Sequence, residues 1–180
     1  MRVLIINPPW PGKGYGTRSQ NRIIKHRSDK FLQYPIFLAY SASQLRDAGF
    51  DVFYIDSVIQ DFDMTQTLHK VKEVNPDIIF METTTPSIEA DYQSLSRLKD
   101  ATGSKIIVGG PHATYFHREV LQECQAIDVV IRHEFDTKIA GVVSNIKTST
   151  CTSCVQVKIL QTRYFLYLNW VKNLYSHQLM

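Results

Sequence analysis

At 180 residues, with 44% apolar and 21% charged side chains, the chain suits one ordinary globular domain, which excludes fibrous and intrinsically disordered classes. Its net charge of +3 carries little information as a sum, and neither nucleic acid nor a membrane is expected as a partner. By position the charge is uneven: Met1–Asp136 holds all 17 acids and 15 of the 20 Lys and Arg, whereas residues 137–180 hold five basic residues and no acid.

The chain opens with Met1-Arg2 and an apolar run, Val3–Ile6, that is too short for a signal-peptide core, so a cytoplasmic protein is expected. The post-strand segment Asn7-Pro8-Pro9-Trp10-Pro11-Gly12 follows, then Gly12-Lys13-Gly14-Tyr15-Gly16, which lacks the GxxxxGK[ST] spacing of a phosphate loop. A basic stretch with Arg18, Arg22, Lys25, Arg27 and Lys30 completes a loop that is long for a compact domain. It reads either as a solvated loop or as a cap over an anionic ligand or partner.

Pro35–Ala48 reads as a helix with Pro at its start and Gly49 at its end. The second apolar run, Val52–Ile55, ends at Asp56, a candidate ribose acid if the chain binds a dinucleotide. Asp63 or Thr65 can cap a helix through Val74 that presents Leu68, Val71 and Val74 on one face. The third run is Ile78–Met81, followed by Glu82-Thr83-Thr84-Thr85-Pro86, in which three hydroxyls can line a crevice or Thr85-Pro86 can start a helix. Ser87–Ala101 repeats the helical pattern with Ile88, Tyr92, Leu95 and Leu98 until Gly103.

The fourth run, Ile106–Val108, leads into Gly109-Gly110-Pro111-His112. Two residues without Cβ atoms there can allow a close backbone approach, and the imidazole can make a structural hydrogen bond, ligate a metal or move a proton. Tyr115–Cys124 is expected as a short helix before the fifth run, Val129–Ile131, and its sequel Arg132-His133-Glu134-Phe135-Asp136. Short unbroken apolar runs alternating with helices predict an α/β fold: a Rossmann-like (flavodoxin-like) five-stranded parallel sheet with helices on both faces. Ligands of such sheets bind beyond the carboxyl ends of the strands, which directs attention to the four post-strand segments.

Beyond residue 136 the tail, 137–180, is expected to be poorly packed or read out of frame. Its Cys151-Thr152-Ser153-Cys154 is a lone CxxC that supports zinc weakly, and its most apolar stretch, Ile159–Leu174, is interrupted by Gln161, Arg163, Asn169 and Lys172, so no membrane span is expected. With Cys124 the cysteines number three, too few and odd for a disulfide framework.

Taken together, LIINPP (Leu4–Pro9), PIFLAYSASQLRDAGF (Pro35–Phe50), DVFYIDS (Asp51–Ser57), PDIIFMETTTPSIEA (Pro76–Ala90), GGPH (Gly109–His112) and DVVIRHEF (Asp128–Phe135) resemble the cobalamin-binding domain at the front of cobalamin-dependent radical-SAM enzymes, of the anaerobic magnesium-protoporphyrin ester cyclase and methyltransferase type. The resemblance implies cobalamin as cofactor. Asn7, Pro8 and Pro9 would lie under the corrin ring, Thr83, Thr84, Thr85, Gly109 and Gly110 would flank the nucleotide tail, and Pro111, His112 and Glu134 would complete the binding set.

Two departures refine that implication. Where other cobalamin domains carry DxHxxG, whose His ligates cobalt from below, this chain has Asn7 for the Asp and Pro9 for the His, so base-off binding without a protein histidine is expected. The family's CxxxCxxC, which holds an iron–sulfur cluster, is absent, so the chain is expected to be a binding fragment without catalysis of its own, serving a separate radical-SAM domain or protein. A receiver-like signalling domain and a nucleotide-binding Rossmann enzyme are the alternatives. The first would need an acidic pair where Asn7-Pro8 stands and an Asp where Glu82-Thr83 stands, and the second lacks GxGxxG after its first strand.

Overall fold

A computed structural model describes residues 1–10, 12, 18–19 and 34–148. Five strands, β1 (Arg2–Asn7), β2 (Asp51–Asp56), β3 (Ile78–Glu82), β4 (Lys105–Gly109) and β5 (Val129–Val130), form one sheet of order β2-β1-β3-β4-β5. Every pairing is parallel. The helices are α1 (Ile36–Asp47), α2 (Met64–Val74), α3 (Ile88–Thr102), α4 (Pro111–Tyr115), α5 (His117–Glu123) and α6 (Phe135–Thr148).

Strand residues are apolar throughout because both faces are covered, and the period of two sorts them between two cores. Leu4, Ile6, Ile79, Met81, Ile106 and Val108 pack with Val71 of α2, Leu95 and Leu98 of α3 and Val120 of α5. Val3, Ile5, Phe80, Ile107 and Val129 pack on the opposite face with Leu38 and Leu45 of α1 and Ile139, Val142 and Val143 of α6. The predicted α/β architecture is therefore the observed one.

Local chemistry sets the ends of these elements. Asp63, rather than Thr65, caps α2: its carboxylate accepts from the Gln66 amide at 2.8 Å while the Gln66 side chain accepts from the Asp63 amide at 2.9 Å, a reciprocal capping box. Gly103 ends α3 in the left-handed region at φ 66°, its amide returning to the Lys99 carbonyl at 2.8 Å.

Three expectations are corrected in detail. Thr85-Pro86-Ser87 forms a 3-10 turn ahead of α3, whose start carries no hydroxyl cap. The single helix expected over Tyr115–Cys124 is two, α4 and α5, because Phe116 leaves the helical basin at φ −108°, ψ 36° and lays its ring against His112, 4.9 Å between centroids. The compositional change at residue 137 also falls inside α6 rather than at the edge of the packed unit. Ile139 and Val143 of α6 are fully buried against α1 and the sheet. The buried face of α6, with Ile139, Val142 and Val143, is thus part of the core, since a sheet in this order needs a last helix to cover the α1 face. Residues 149–180, with Cys151 and Cys154, lie outside the described residues, as do Arg22, Lys25, Arg27 and Lys30.

Candidate functional site

Parallel pairing brings the carboxyl ends of the strands to one edge. Asn7 pairs with Asp56, Glu82 pairs with Gly109, and Ile6 pairs with Met81 one step earlier, so Asp56, Asn7, Glu82 and Gly109 form a row across four strands. All face the α1/α6 side, because each stands two residues after a core residue of that face: Tyr54, Ile5, Phe80 and Ile107. Asp56, Asn7 and Glu82 are buried polar groups, and the fold supplies each with partners.

Asn7 donates from Nδ2 to Asp56 Oδ1 at 2.9 Å, and Asp56 also accepts the Val58 and Ile59 amides at 3.1 and 3.2 Å. Asp56 therefore holds the turn after β2, which leaves the ribose-acid reading without support. Asn7 Oδ1 in turn accepts from Arg18 Nη1 at 2.9 Å. Arg18 is only 2% exposed. Its guanidinium also donates to the Pro8 and Pro9 carbonyls at 2.9 and 3.2 Å and twice to Asp91 Oδ1, from Nε at 3.0 Å and Nη2 at 2.9 Å, with the Trp10 ring 5.1 Å away. Burial pushes the Asp91 carboxyl up, opposed by Arg18 and by the Ser87 hydroxyl, which donates at 2.7 Å. Arg18 is thus a strut from the loop after β1 to α3.

Next along the row, Glu82 accepts the Ser19 hydroxyl on Oε2 at 2.7 Å. Its carboxyl is pushed up to about 7, burial outweighing Ser19 and Arg18. Glu82 lies at a cleft of about 290 Å³ that is also lined by Phe37 of α1, Gly110, Pro111 and Tyr115 after β4, and Glu134, Phe135 and Asp136 at the start of α6. Phe37 and Phe135 meet edge to face, with centroids 6.3 Å apart. Nearby, the buried Tyr54 hydroxyl has no hydrogen-bond partner among the described residues, and Asp56, Tyr34 and Glu82 are its charged or titratable neighbours.

The residues singled out from sequence separate into three places. Asn7, Pro8 and Pro9 form the floor beneath Arg18. Gly110, Pro111 and the exposed Glu134 line the cleft. Thr83 and Thr84 are buried away from it: Thr83 bonds the Gly109 carbonyl and Thr84 the Ser87 hydroxyl, while exposed Thr85 bonds His112 Nδ1 at 3.1 Å.

That contact, with the Phe116 ring, makes His112 a structural imidazole whose protonation burial disfavours. The glycine pair serves the fold itself. A Cβ on Gly109 would stand 2.9 Å from Phe135, and one on Gly110, at φ +102°, would stand 2.6 Å from the Thr83 carbonyl oxygen. Among the described residues no group of three His, Cys, Asp or Glu is placed to hold a metal, and no helix is long and apolar enough to cross a membrane.

Sequence reasoning passed over Glu82, Asp91, Phe37 and Phe135 as site residues and took Arg18 only as one charge among several. Glu82 had a usable signal, a charged residue closing an apolar strand of a parallel sheet. Asp91 and Arg18 had none, since their partnership spans 73 positions.

A family model described as the B12 binding domain matches residues 27–143. Similar curated proteins include anaerobic magnesium-protoporphyrin IX monomethyl ester cyclases from Cereibacter sphaeroides, 31% identical over 111 residues covering 61% of this chain and 18% of that protein, and from Rubrivivax gelatinosus, 29% identical over 112 residues covering 61% and 20%. An uncharacterized methyltransferase from Pyrococcus horikoshii is 33% identical over 101 residues, 56% of this chain and 22% of its own length. The chain thus spans about a fifth of the curated relatives it matches. Among solved structures, the radical S-adenosylmethionine methyltransferase TsrM from Kitasatospora setae shares the fold at TM-score 0.64 and 15% identity, over 86% of this chain and 27% of that one. Its form with cobalamin and a [4Fe-4S] cluster bound matches at 0.63 and 14%, over 86% and 28%.

Proposed function

This chain belongs to the B12-binding domain family, and we propose that it works as a cobalamin-holding module: the corrin ring on the loops after β1 and β4, the nucleotide tail in the cleft at the strand ends, and no protein ligand to cobalt from below. The residues present fit such a group. The cleft is lined by Phe37 and Phe135, which meet edge to face, and by a buried acid, and close by is a phenol without a hydrogen-bond partner among the described residues. At about 290 Å³ it is at the small end of ligand pockets, suited to one ring system of the tail while the corrin stays outside.

The observation that carries base-off binding is the state of the Asn7-Pro8-Pro9 segment. Its Asn side chain and two carbonyls are turned to Arg18, and Pro9, at the position where related domains use histidine, has no atom to offer a metal. Asn7 and Arg18 fix the shape of this floor. Gly110, Pro111 and Glu134 form the wall below the β4 loop, and Thr83 and Thr84 act from behind it as packing.

Cobalamin, when bound, supplies cobalt–carbon and cobalt redox chemistry, while the protein supplies binding and orientation. Catalysis belongs to a radical-SAM partner, in the same polypeptide or separate. That assignment is supported by the relatives, over which this domain spans about a fifth of the length. Incubation of the full chain with hydroxocobalamin followed by gel filtration tests the proposal. Corrin absorbance co-eluting with protein is the expected result, and a corrin-free protein peak refutes it.

A further inference from the structure

With Pro9 where related domains use histidine, the segment after β1 still contains three oxygens able to approach a cation: Asn7 Oδ1 and the Pro8 and Pro9 carbonyls. One side chain engages all of them. A guanidinium has five N–H groups in a rigid fork. Two of those on Arg18, from Nε and Nη2, go to Asp91 Oδ1 at 3.0 and 2.9 Å. The other three meet the three oxygens: Nη1 donates to Asn7 Oδ1 and to the Pro8 carbonyl, both at 2.9 Å, and Nη2 to the Pro9 carbonyl at 3.2 Å. Every N–H of the guanidinium is therefore used. The remaining polar atoms of the segment are spent as well. The Asn7 carbonyl accepts the Ser57 amide at 2.9 Å, Asn7 Nδ2 donates to Asp56 at 2.9 Å, and neither proline has an N–H.

The aim of the guanidinium is imposed from α3. Asp91 is fully buried and is itself held by the Ser87 hydroxyl at 2.7 Å and the Thr84 backbone. By taking Nε and one Nη2 hydrogen, it fixes the plane of the fork and leaves the other three hydrogens facing the segment. Arg18 is 2% exposed, so water does not compete for these contacts. An oxygen that accepts a charge-assisted hydrogen bond from a buried cation is turned toward that cation and is a poorer donor to a second one.

We propose that Arg18, aimed by Asp91, is a positioning residue that withholds the oxygens of Asn7-Pro8-Pro9 from the metal of the cofactor. The lack of a protein ligand from below is then enforced by this pair, and loss of the histidine alone does not secure it. This inference rests on the cobalamin reading above and adds to it the residues that keep protein oxygen off the cobalt. Neither Arg18 nor Asp91 needs to touch the cofactor for this role, since both act through the segment between.

The test reads the electron spin resonance of cob(II)alamin bound to the full chain, in ordinary water and in water enriched in the magnetic isotope of oxygen, which broadens the signal only where the axial ligand is water. In the wild type the cobalt should carry either no axial oxygen or one that the isotope broadens. The comparison variant is Arg18→Met with Asp91→Leu, because exchanging both members of a buried ion pair for apolar residues of similar volume often preserves stability, whereas Arg18→Ala leaves Asp91 buried without its partner. In that double variant the signal should become that of cobalt ligated by an oxygen that the isotope does not broaden. A double-variant signal identical to the wild type overturns the inference, and so does an unbroadened oxygen ligand already present in the wild type. Asp128→Asn loosens the opposite, amino-terminal edge of the sheet and serves as control. It should keep the wild-type signal, and the double-variant signal appearing there would overturn the role of Arg18 by tracing the change to general loosening. If the wild type does not bind cob(II)alamin the cobalamin reading itself fails, and nitrogen coupling in its signal refutes the base-off reading; both take this inference with them and differ from a wild type and double variant that agree.

Discussion

Removal of the Arg18 guanidinium is the most demanding perturbation of the segment Asn7-Pro8-Pro9 that it holds. Arg18 and Asp91 have 1% and 0% of their side-chain surface exposed, so water cannot replace what is lost. In Arg18→Ala the Pro8 and Pro9 carbonyls and Asn7 Oδ1 lose this donor, and among the described residues Asp91 keeps the Ser87 hydroxyl and the Thr84 backbone as partners of its charge. Breaking a buried ion pair from one side costs about 3–5 kcal/mol, a large share of the ~5–15 kcal/mol that stabilises a typical domain. Urea denaturation of wild type, Arg18→Ala, Asp91→Asn and the double variant should give a coupling of about 2 kcal/mol, since the pair acts as one unit.

The pH dependence has a definite sign. Burial already pushes the Asp91 carboxyl up, and losing Arg18 removes the main force opposing that push. In Arg18→Ala, Asp91 can escape at low pH by taking a proton, whereas at higher pH it must ionise without its partner. The penalty therefore grows as pH rises. A cost below about 1 kcal/mol that is the same at pH 5 and pH 8 would refute the strut, because it would mean the guanidinium is not buried against Asp91 in solution.

Glu82 gives a second pH signature. A carboxyl moved from 4.5 to about 7 by folding costs nothing below the lower value, lowers stability as pH rises between the two, and has its full effect of about 3 kcal/mol above the upper one. Urea midpoints measured across pH should show that fall in the wild type and not in Glu82→Gln. Asp128 has the opposite sign: against partial burial, Lys99, the Ile106 amide and Lys105 hold its carboxyl below the usual range, so its contribution is lost as pH falls. Asp128→Asn should cost about 1–2 kcal/mol near pH 7 and nothing in strong acid, read from melting curves at both. Gly110→Ala should cost about 3 kcal/mol in urea, because φ is +102° and the new Cβ meets a backbone oxygen at 2.6 Å. Gly103→Ala, at φ +66° with open space around it, should cost about 1 kcal/mol.

The sheet was legible because burial on both faces leaves an unambiguous mark: Val3–Ile6, Ile78–Met81 and Ile106–Val108 have no polar residue to blur the run. The helix ends were legible where one residue carries the chemistry, as at Asp63 and Gly103. The split at Phe116 was not, since it depends on a ring stacking on His112, a contact that periodicity does not encode. Nor was the packing of α6. The absence of acids after Asp136 suggested a different segment, yet Ile139, Val142 and Val143 stand at helical spacing and bury against α1.

At the strand ends, the post-strand segments stand together at one edge of the sheet, as parallel pairing requires, but the partners of the residues within them were not legible. Gly109 and Gly110 give room to Phe135 and Thr83 rather than to open space, and the buried polar groups Glu82 and Arg18 take their character from neighbours distant in sequence.

The central claim is that this edge of the sheet holds cobalamin without a histidine beneath the cobalt. The absorbance spectrum of the full chain titrated with cobalamin tests it most directly. The account predicts saturable binding with the base-off spectrum, unchanged in a His112→Ala variant. A spectrum showing histidine coordinated to cobalt, or one identical to free cobalamin at every protein concentration, would contradict it.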